Sequence, residues 1–420
     1  MSIQGVKGMQ DLLPPESALW RAIETLAADV FSGFGYDEIR TPILEHTDLF
    51  ARSIGDESDI VSKEMYTFED KAGRSVTMRP EGTASVVRAF LQNKLHARQG
   101  VHRLFYMGPM FRYERMQKGR LRQFHQFGAE LYGLATPLAD AEVIALQHFL
   151  FQRLGVPGLA LEINNLGTPA SRAEYGKRLR EHLQSEAGVL CADCIRRTET
   201  NPLRALDCKI PGCQPVLAAA PSILECSDPE SDAHFKAVLE RLDVLGIPYQ
   251  INPQMVRGLD YYTKVVFEFT STGLGAKNTL SAGGRYDRLV KDLGGPETPA
   301  VGFACGVERL LLLLGDSAQS LLPHVPKLFL VLLEPEAESQ AATLVAGLRT
   351  AGLHVEEDFN RPGLKAQMKG ANRAGADWVI LVGPDEFAAK VVTLRDMRSG
   401  EQRSLPMETQ SILDAIGVAT

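Results

Sequence analysis

HRLFYMGPMFRYERMQKGRLRQFHQFGAELYG, residues 102–133, reads as two extended runs joined by a basic turn. Between Arg112 and Arg122 the turn carries five Lys or Arg, in a chain of 420 residues whose formal net charge is −7. Such a concentration fits either a solvated hairpin tip or a seat for a polyanion. Alternate residues of a strand share a face, so the spacing puts Arg112 and Glu114 on one side of the first run. On the return run it puts Gln126, Gly128 and Glu130 together, with Gly128 leaving room above the sheet for a flat group. An anion beside Arg112 and a hydrogen-bonding base beside Glu114 describe a nucleotide on a sheet. An exposed salt bridge explains the same spacing and stabilises little. Local spacing leaves the two level.

Outward from the hairpin, residues 17–34 have helical spacing (Leu19, Ile23, Leu26, Ala27, Val30, Phe31) and stop at GFGY. DEIRTPILE follows as an extended piece, since Pro42 cannot continue a helix. SVTMRP, the two hairpin runs and, after a helix over about 138–154, ALEINNLG read as strands separated by Gly- and Pro-bearing turns, the pattern of an antiparallel sheet. Residues 166–225 are helical and polar at first, then hold cysteines and prolines without strand periodicity, and read as an inserted subdomain. Sheet-like sequence resumes at IPYQINPQMVRGLDYYTKVVFEFT and TLSAGGRYDRLV and closes on TPAVGFACGVERLLLLL, a strand leading into an apolar helix. DSAQSLLPHVPK, 316–327, reads as a linker. Beyond it LFLVLL, HVEEDF, WVILVG and KVVTLRD alternate with helical stretches, which implies a small α/β domain whose sheet is covered on both faces. The expected boundaries are 1–165 with 226–320 for the core, 166–225 for the insertion and 327–420 for the last domain.

Hydrophobic content of 45% with 23% charged residues fits an ordinary globular chain. The opening residues lack a secretory leader, and no apolar run approaches the ~18 residues of a membrane span, so a cytoplasmic setting is expected. The acidic balance argues against nonspecific coating of nucleic acid, while leaving room for a partner held by local basic patches. Six cysteines do not describe a disulfide scaffold. Cys191, Cys194, Cys208 and Cys213 approximate a zinc ribbon, but the second pair is C-x4-C and only 13 residues separate the pairs. Unligated, partly buried thiols in a reducing compartment are the favoured reading, with a structural zinc site as the alternative.

FRYER…RQFHQFGAELYG resembles motif 2 of the class II aminoacyl-tRNA synthetases, VGFACGVERLLLL their motif 3, and YDEIRTPILE their motif 1. RGLDYYT and SAGGRYD are similar to two signatures of the histidyl-tRNA synthetases, and GMQDLLP and MRPEGTASVVR fit the same family. The likeness runs from about residue 4 to residue 405. It implies an α+β catalytic domain with an antiparallel sheet, a helical insertion and a C-terminal α/β anticodon-binding domain. The implied activity is ATP-dependent ligation of histidine to its tRNA through a histidyl-adenylate. Mg²⁺ would accompany ATP, no prosthetic group is expected, and motif 1 implies a homodimer.

The resemblance also assigns roles. Arg112 would hold the ATP α-phosphate and the charge growing on phosphorus, Glu114 would accept from the adenine amino group, and Arg309, in the first turn of the motif 3 helix, would meet ATP phosphates. An arginine is otherwise a poor choice at a helix start. Arg257 would bridge the histidine carboxylate and the α-phosphate, a task suited to a planar, permanently charged fork. Glu81 and Thr83 would bind the ammonium group and Glu130 the imidazole, with Tyr262 and Tyr286 flanking the ring; for these tyrosines ordinary aromatic packing is the plain alternative. Gln126 would lie by the carboxylate and take part in transfer. Lys118, Arg120 and Arg122 would meet phosphates of the tRNA acceptor stem, a positioning contact rather than a reading one. Met116 and Arg288 depart from an expected proline and glycine, neither at a catalytic position.

Arg361, Lys365, Lys369 and Arg373 recur every four residues and predict a basic stripe along one helix, a pattern that a solvated face shares with a tRNA contact. Two rivals stand beside the ligase: a regulatory subunit of ATP phosphoribosyltransferase from histidine biosynthesis, and an RNA-binding or scaffolding protein. The first typically lacks the anticodon domain and degrades RGLDYYT, both of which are intact here. The second has no need of Arg112, Arg257 and Arg309 together.

Overall fold

The computed structural model describes residues 3–55, 58, 60–256, 259, 261–275 and 278–418. They form two compact units, one ending at Leu322 and the other beginning at Pro323.

The first unit is built on an eight-stranded sheet. Its six central strands run, in spatial order, His102–Phe111, Gln123–Tyr132, Ala300–Gly306, Thr279–Arg285, Thr263–Ser271 and Leu159–Asn165, each antiparallel to the next. The short edge strands Asp37–Glu38 and Gln250–Ile251 pair parallel, so the sheet is mixed at its margins rather than antiparallel throughout. Ser75–Met78 belongs instead to a separate three-stranded sheet with Leu44–His46 and Tyr66–Glu69. A strand joins whatever edge its backbone meets, which its own alternation does not specify.

Two-residue alternation sorts the central sheet. Phe127, Ala129 and Leu131 enter one buried cluster with Phe105 and Phe303. Against that face lie the helices Glu16–Gly33, through Ile23, Ala27 and Phe31, and Pro137–Arg153, through Val143, Leu146 and Leu150. Burying that many large apolar side chains at ~1.5–3 kcal/mol each is what holds the sheet to its helices. Gln126, Gly128 and Glu130 therefore face the other way, where Tyr106, Met110 and Tyr132 of the sheet cluster with Val86, Val87 and Phe90 of helix Thr83–Gln92.

Residues 166–228 contribute the helices Pro169–Ser185 and Ala192–Thr200 and several short turns of helix. Thr168 caps the first, its side chain accepting the Ser171 N–H, and Pro169 at the first turn loses no intrahelical bond. A fully buried ion pair, Arg285 Nη2 to Asp140 Oδ2 at 2.6 Å, ties the strand carrying SAGGRYD to helix Pro137–Arg153. Removing Asp140 alone would leave the buried Arg285 guanidinium with Asp287 as its remaining carboxylate partner.

The second unit has a five-stranded sheet in the order His354–Glu357, Lys327–Leu332, Trp378–Val382, Val391–Asp396, Gln402–Pro406. Leu328, Leu330 and Leu332 point into one apolar cluster, and Phe329 and Val331 into another. This strand is thus buried on both faces, as its continuous apolar run implied. The last two strands pair antiparallel.

Candidate active site

A cavity of about 760 Å³ opens on the face of the central sheet that carries Gln126. That size suits a small-molecule site. Gln126, Ser281 and Ala304 contribute to its floor, and Glu81 and Thr83 to one end. Arg112, Glu114, Arg120 and Arg309 gather around it, while Leu206, Lys209 and Gln214 reach it from the helical segment.

At the end formed by Glu81, the carboxylate accepts the N–H groups of Thr83 (2.6 Å) and Ala84 (2.9 Å), at the start of helix Thr83–Gln92. Unpaired amides at a helix start suit an anion. Burial nevertheless pushes the Glu81 carboxyl above its ordinary pKa, with those amides and Arg112 pulling the other way. Below the floor, Glu130 accepts hydroxyl hydrogens from Thr83 (2.7 Å) and from Tyr286, in a short contact. Glu130 is fully buried, and loss of water pushes its pKa up to about 8 against the pull of those two hydroxyls. With its hydrogen committed to Glu130, the Thr83 oxygen can offer only lone pairs to the cavity.

Close backbone approach makes this arrangement possible. Gly302 lies opposite Glu130 in the ladder, and a Cβ there would sit 1.7 Å from Glu130 Oε2. Gly128 lies opposite Tyr106, and a Cβ there would sit 2.5 Å from the Tyr106 hydroxyl. The room that Gly128 leaves is therefore taken by Tyr106, not by a ligand. Tyr106 is a buried packing residue beside Gly82 and Gly128 that motif matching did not mark. An aromatic paired across the strand from a glycine was the available signal.

The strand ends at Phe111, so the shared-face argument for Arg112 and Glu114 fails: both lie in the turn that follows. They reach the cavity all the same. The Arg112 N–H closes the turn on the Arg122 carbonyl (2.9 Å), and its Nε donates to the Pro80 carbonyl (2.8 Å). Arg120 pairs with Glu114 (2.9 Å). Arg309 Nε donates to the Thr279 carbonyl (2.9 Å). Burial lowers the Arg309 pKa and the charge of Arg120 lowers it further, the electrostatic signature of cations gathered where an anion would relieve them. Beside Arg309, Glu308 accepts the His125 N–H and lies 2.9 Å from its Nδ1, pinning helix Val307–Leu314 to the floor strand.

Of the residues singled out from sequence, Glu81, Thr83, Arg112, Glu114, Arg120, Gln126, Tyr262 and Arg309 line the cavity; Glu130 and Tyr286 lie beneath it. Arg257 lies outside the described residues, between Val256 and Leu259, which both line the cavity. Among the described residues, Gln126 Oε1 is buried without a hydrogen-bond partner, as expected of a floor group that meets a ligand. Tyr262 and Tyr286 are also packed in a buried cluster, so the aromatic-packing role holds alongside any other.

Lys118 is exposed at the hairpin tip. Arg122 turns back, with its guanidinium 3.6 Å from the Tyr113 ring centroid and its N–H donating to the Gly8 carbonyl. In the second unit Arg361 is not part of the basic helix. It precedes helix Leu364–Ala374 in a left-handed conformation (φ 45°) and pairs with Glu357 (2.7 Å) and Glu338 (3.1 Å). Lys365, Lys369 and Arg373 do ride the helix, exposed. A four-residue interval cannot by itself say where a helix begins.

Residues 8–310 match a family profile described as "Histidyl-tRNA synthetase", and residues 327–412 one described as "Anticodon binding domain". A protein named "Histidine--tRNA ligase" from Trichlorobacter lovleyi is 49% identical over 416 residues, 99% of each chain. One of the same name from Desulforudis audaxviator is 50% identical over 403 residues, 96% of each. Among solved structures, the apo histidyl-tRNA synthetase of S. aureus superposes with a TM-score of 0.81 at 38% identity, covering 99% of both chains.

Proposed function

We propose how the residues divide the work of the histidyl-tRNA synthetase family, to which this chain belongs. The chain is a histidine–tRNA ligase that uses ATP, and the regulatory-subunit reading is not favoured, since relatives of about half-identical sequence over nearly the whole length bear the ligase name.

In the first step a histidine carboxylate oxygen attacks the α-phosphorus of ATP, pyrophosphate leaves, and histidyl-adenylate remains. In the second the 3′-terminal ribose hydroxyl of the tRNA attacks the activated carbonyl and AMP leaves. Arg112 and Arg309 hold the triphosphate, with Mg²⁺ entering alongside ATP. Glu114, oriented by Arg120, accepts from the adenine amino group. Arg257 bridges carboxylate and α-phosphate. Glu81 and the lone pairs of Thr83 take the ammonium group. Glu130 accepts from the imidazole with Tyr262 and Tyr286 around the ring, and Gln126 lies by the carboxylate. Lys118 at the hairpin tip, with Arg120 and Arg122 near it, faces acceptor-stem phosphates, and Lys365 and Lys369 contact the anticodon arm, with Arg361 at the head of their helix. We place the work in the cytoplasm, where tRNA is used. Among the described residues no helix is long and apolar enough to cross a membrane.

The observation that supports this reading is the gathering in one cavity of the guanidinium groups of Arg112, Arg120 and Arg309 with the carboxylate of Glu81 and the hydroxyl of Thr83. ATP–pyrophosphate exchange tests it. Exchange should depend on histidine, and Arg112→Ala or Arg257→Ala should lower it by a factor on the order of 10²–10³, the scale for removing one preorganised donor to a developing anion. Near-normal exchange in both variants, or exchange driven by another amino acid, contradicts the assignment.

A further inference from the structure

The helical segment holds a cluster that the ligation chemistry does not use. Cys191, Cys194, Cys208 and Cys213 bring their Sγ atoms within 4.8 Å of one another, three of the four side chains buried. We propose that these four cysteines bind one structural zinc ion as a tetrahedral thiolate site.

Zn–S bonds of about 2.3 Å arranged tetrahedrally require sulfur–sulfur edges of about 3.8 Å. Cys191 and Cys208 already stand at 4.0 Å. A disulfide would need about 2.05 Å between two sulfurs, and here four converge on one point. Backbone amides also aim at the sulfurs. The Cys194 N–H donates to Cys191 Sγ (3.4 Å), the Ile210 N–H to Cys208 Sγ (3.4 Å), and the Cys191 N–H to Cys213 Sγ (3.2 Å). Such outer contacts orient thiolate ligands and spread their charge. An apolar core made of thiols has no use for them.

The irregular spacing has a structural explanation. Cys191 caps helix Ala192–Thr200, which returns Cys194 one turn later. The short turn Pro211–Cys213, closed by the Cys213 N–H on the Ile210 carbonyl (3.0 Å), folds Cys213 back beside Cys208 in spite of the four intervening residues. Binding exchanges thiol protons for Zn²⁺ and involves no change of oxidation state. The ion would also brace the cavity, because Asp207 and Lys209 flank Cys208, Gln214 follows Cys213, and all three reach the cavity.

Metal analysis of the purified full chain tests the proposal. About one zinc per chain is expected, lost in Cys208→Ser and Cys213→Ser and retained in the control Cys226→Ser. Because the serine variants could misfold, the wild-type chain supplies a second measurement. Stripped of metal and given Co²⁺ alone, it should develop thiolate-to-cobalt charge-transfer absorption and tetrahedral d–d bands. Its unfolding temperature should fall on stripping and return with Zn²⁺ alone. A chain purified without zinc that takes up neither ion overturns the proposal, as does mass spectrometry showing the four cysteines paired in disulfides.

Discussion

Glu130 accepts from two hydroxyls in a fully buried setting, and its behaviour with pH follows from that burial. A carboxyl lifted from its ordinary 4.5 to about 8 binds a proton in the folded chain that it has already released in the unfolded one. Its contribution to stability is therefore complete below about pH 4.5 and is lost as pH rises through about 8. Glu81, also raised by burial, acts with the same sign. Glu130→Gln removes this titration, so the unfolding midpoint of the ligand-free variant should decline less between pH 5 and 8.5 than that of the wild type, in thermal melts across that range. Its histidine-dependent exchange should drop by about tenfold to a hundredfold, the scale of one hydrogen bond to a charged group. Parallel pH profiles would remove Glu130 as the titrating group. Motif resemblance could mark Glu130 and Thr83, but not their hydrogen bond: 47 residues separate them, and no local pattern spans that interval.

At the scale of the strand, the site rests on missing side chains. Gly302 leaves the Glu130 carboxylate its place, and a Cβ there would also lie 2.6 Å from the Ala129 carbonyl oxygen, a backbone atom that cannot turn aside. Gly302→Ala is predicted to cost about 1–3 kcal/mol, the range for overpacking, and to abolish histidine-dependent exchange. Gly33, the last residue of the first helix, has nothing within 4 Å of its would-be Cβ. Gly33→Ala should instead stabilise by about 0.4–1 kcal/mol through the unfolded chain. Urea unfolding of the two variants beside the wild type should rank them in that order, and equal midpoints would show that the strand yields more easily than its contacts imply. The helices Glu16–Gly33 and Pro137–Arg153 were legible to within a residue or two, because 3.6-residue periodicity is a local property. The helices Pro384–Ala389 and Thr409–Ile416 were not: at six and eight residues they are too short to show a period.

For the whole molecule, the segment resembling motif 1 leads into a small sheet that leaves apolar groups in water. Ile43, Leu44 and Phe68 are 42%, 47% and 47% exposed, and Leu44 and Tyr66 both pair with Met78. Exposed apolar surface marks interaction sites, which supports the homodimer that the motif 1 resemblance implies. Light scattering on the wild type should give twice 46.0 kDa, and Leu44→Glu with Phe68→Glu should give the single-chain mass while each chain stays folded. A wild-type chain that scatters as a monomer at micromolar concentration would remove the dimer.

Periodicity placed the longer helices and strands and set the last hundred residues apart as their own α/β body, while the family resemblance implied which side chains meet a nucleotide. The periodicity follows from backbone geometry repeated every two or 3.6 residues. Only the tertiary structure decided that Tyr106 occupies the space over Gly128, that Arg361 stands off the basic helix, and that four unevenly spaced cysteines meet. Each is a contact between residues whose separation along the chain obeys no period, so it arises when packing closes the chain on itself.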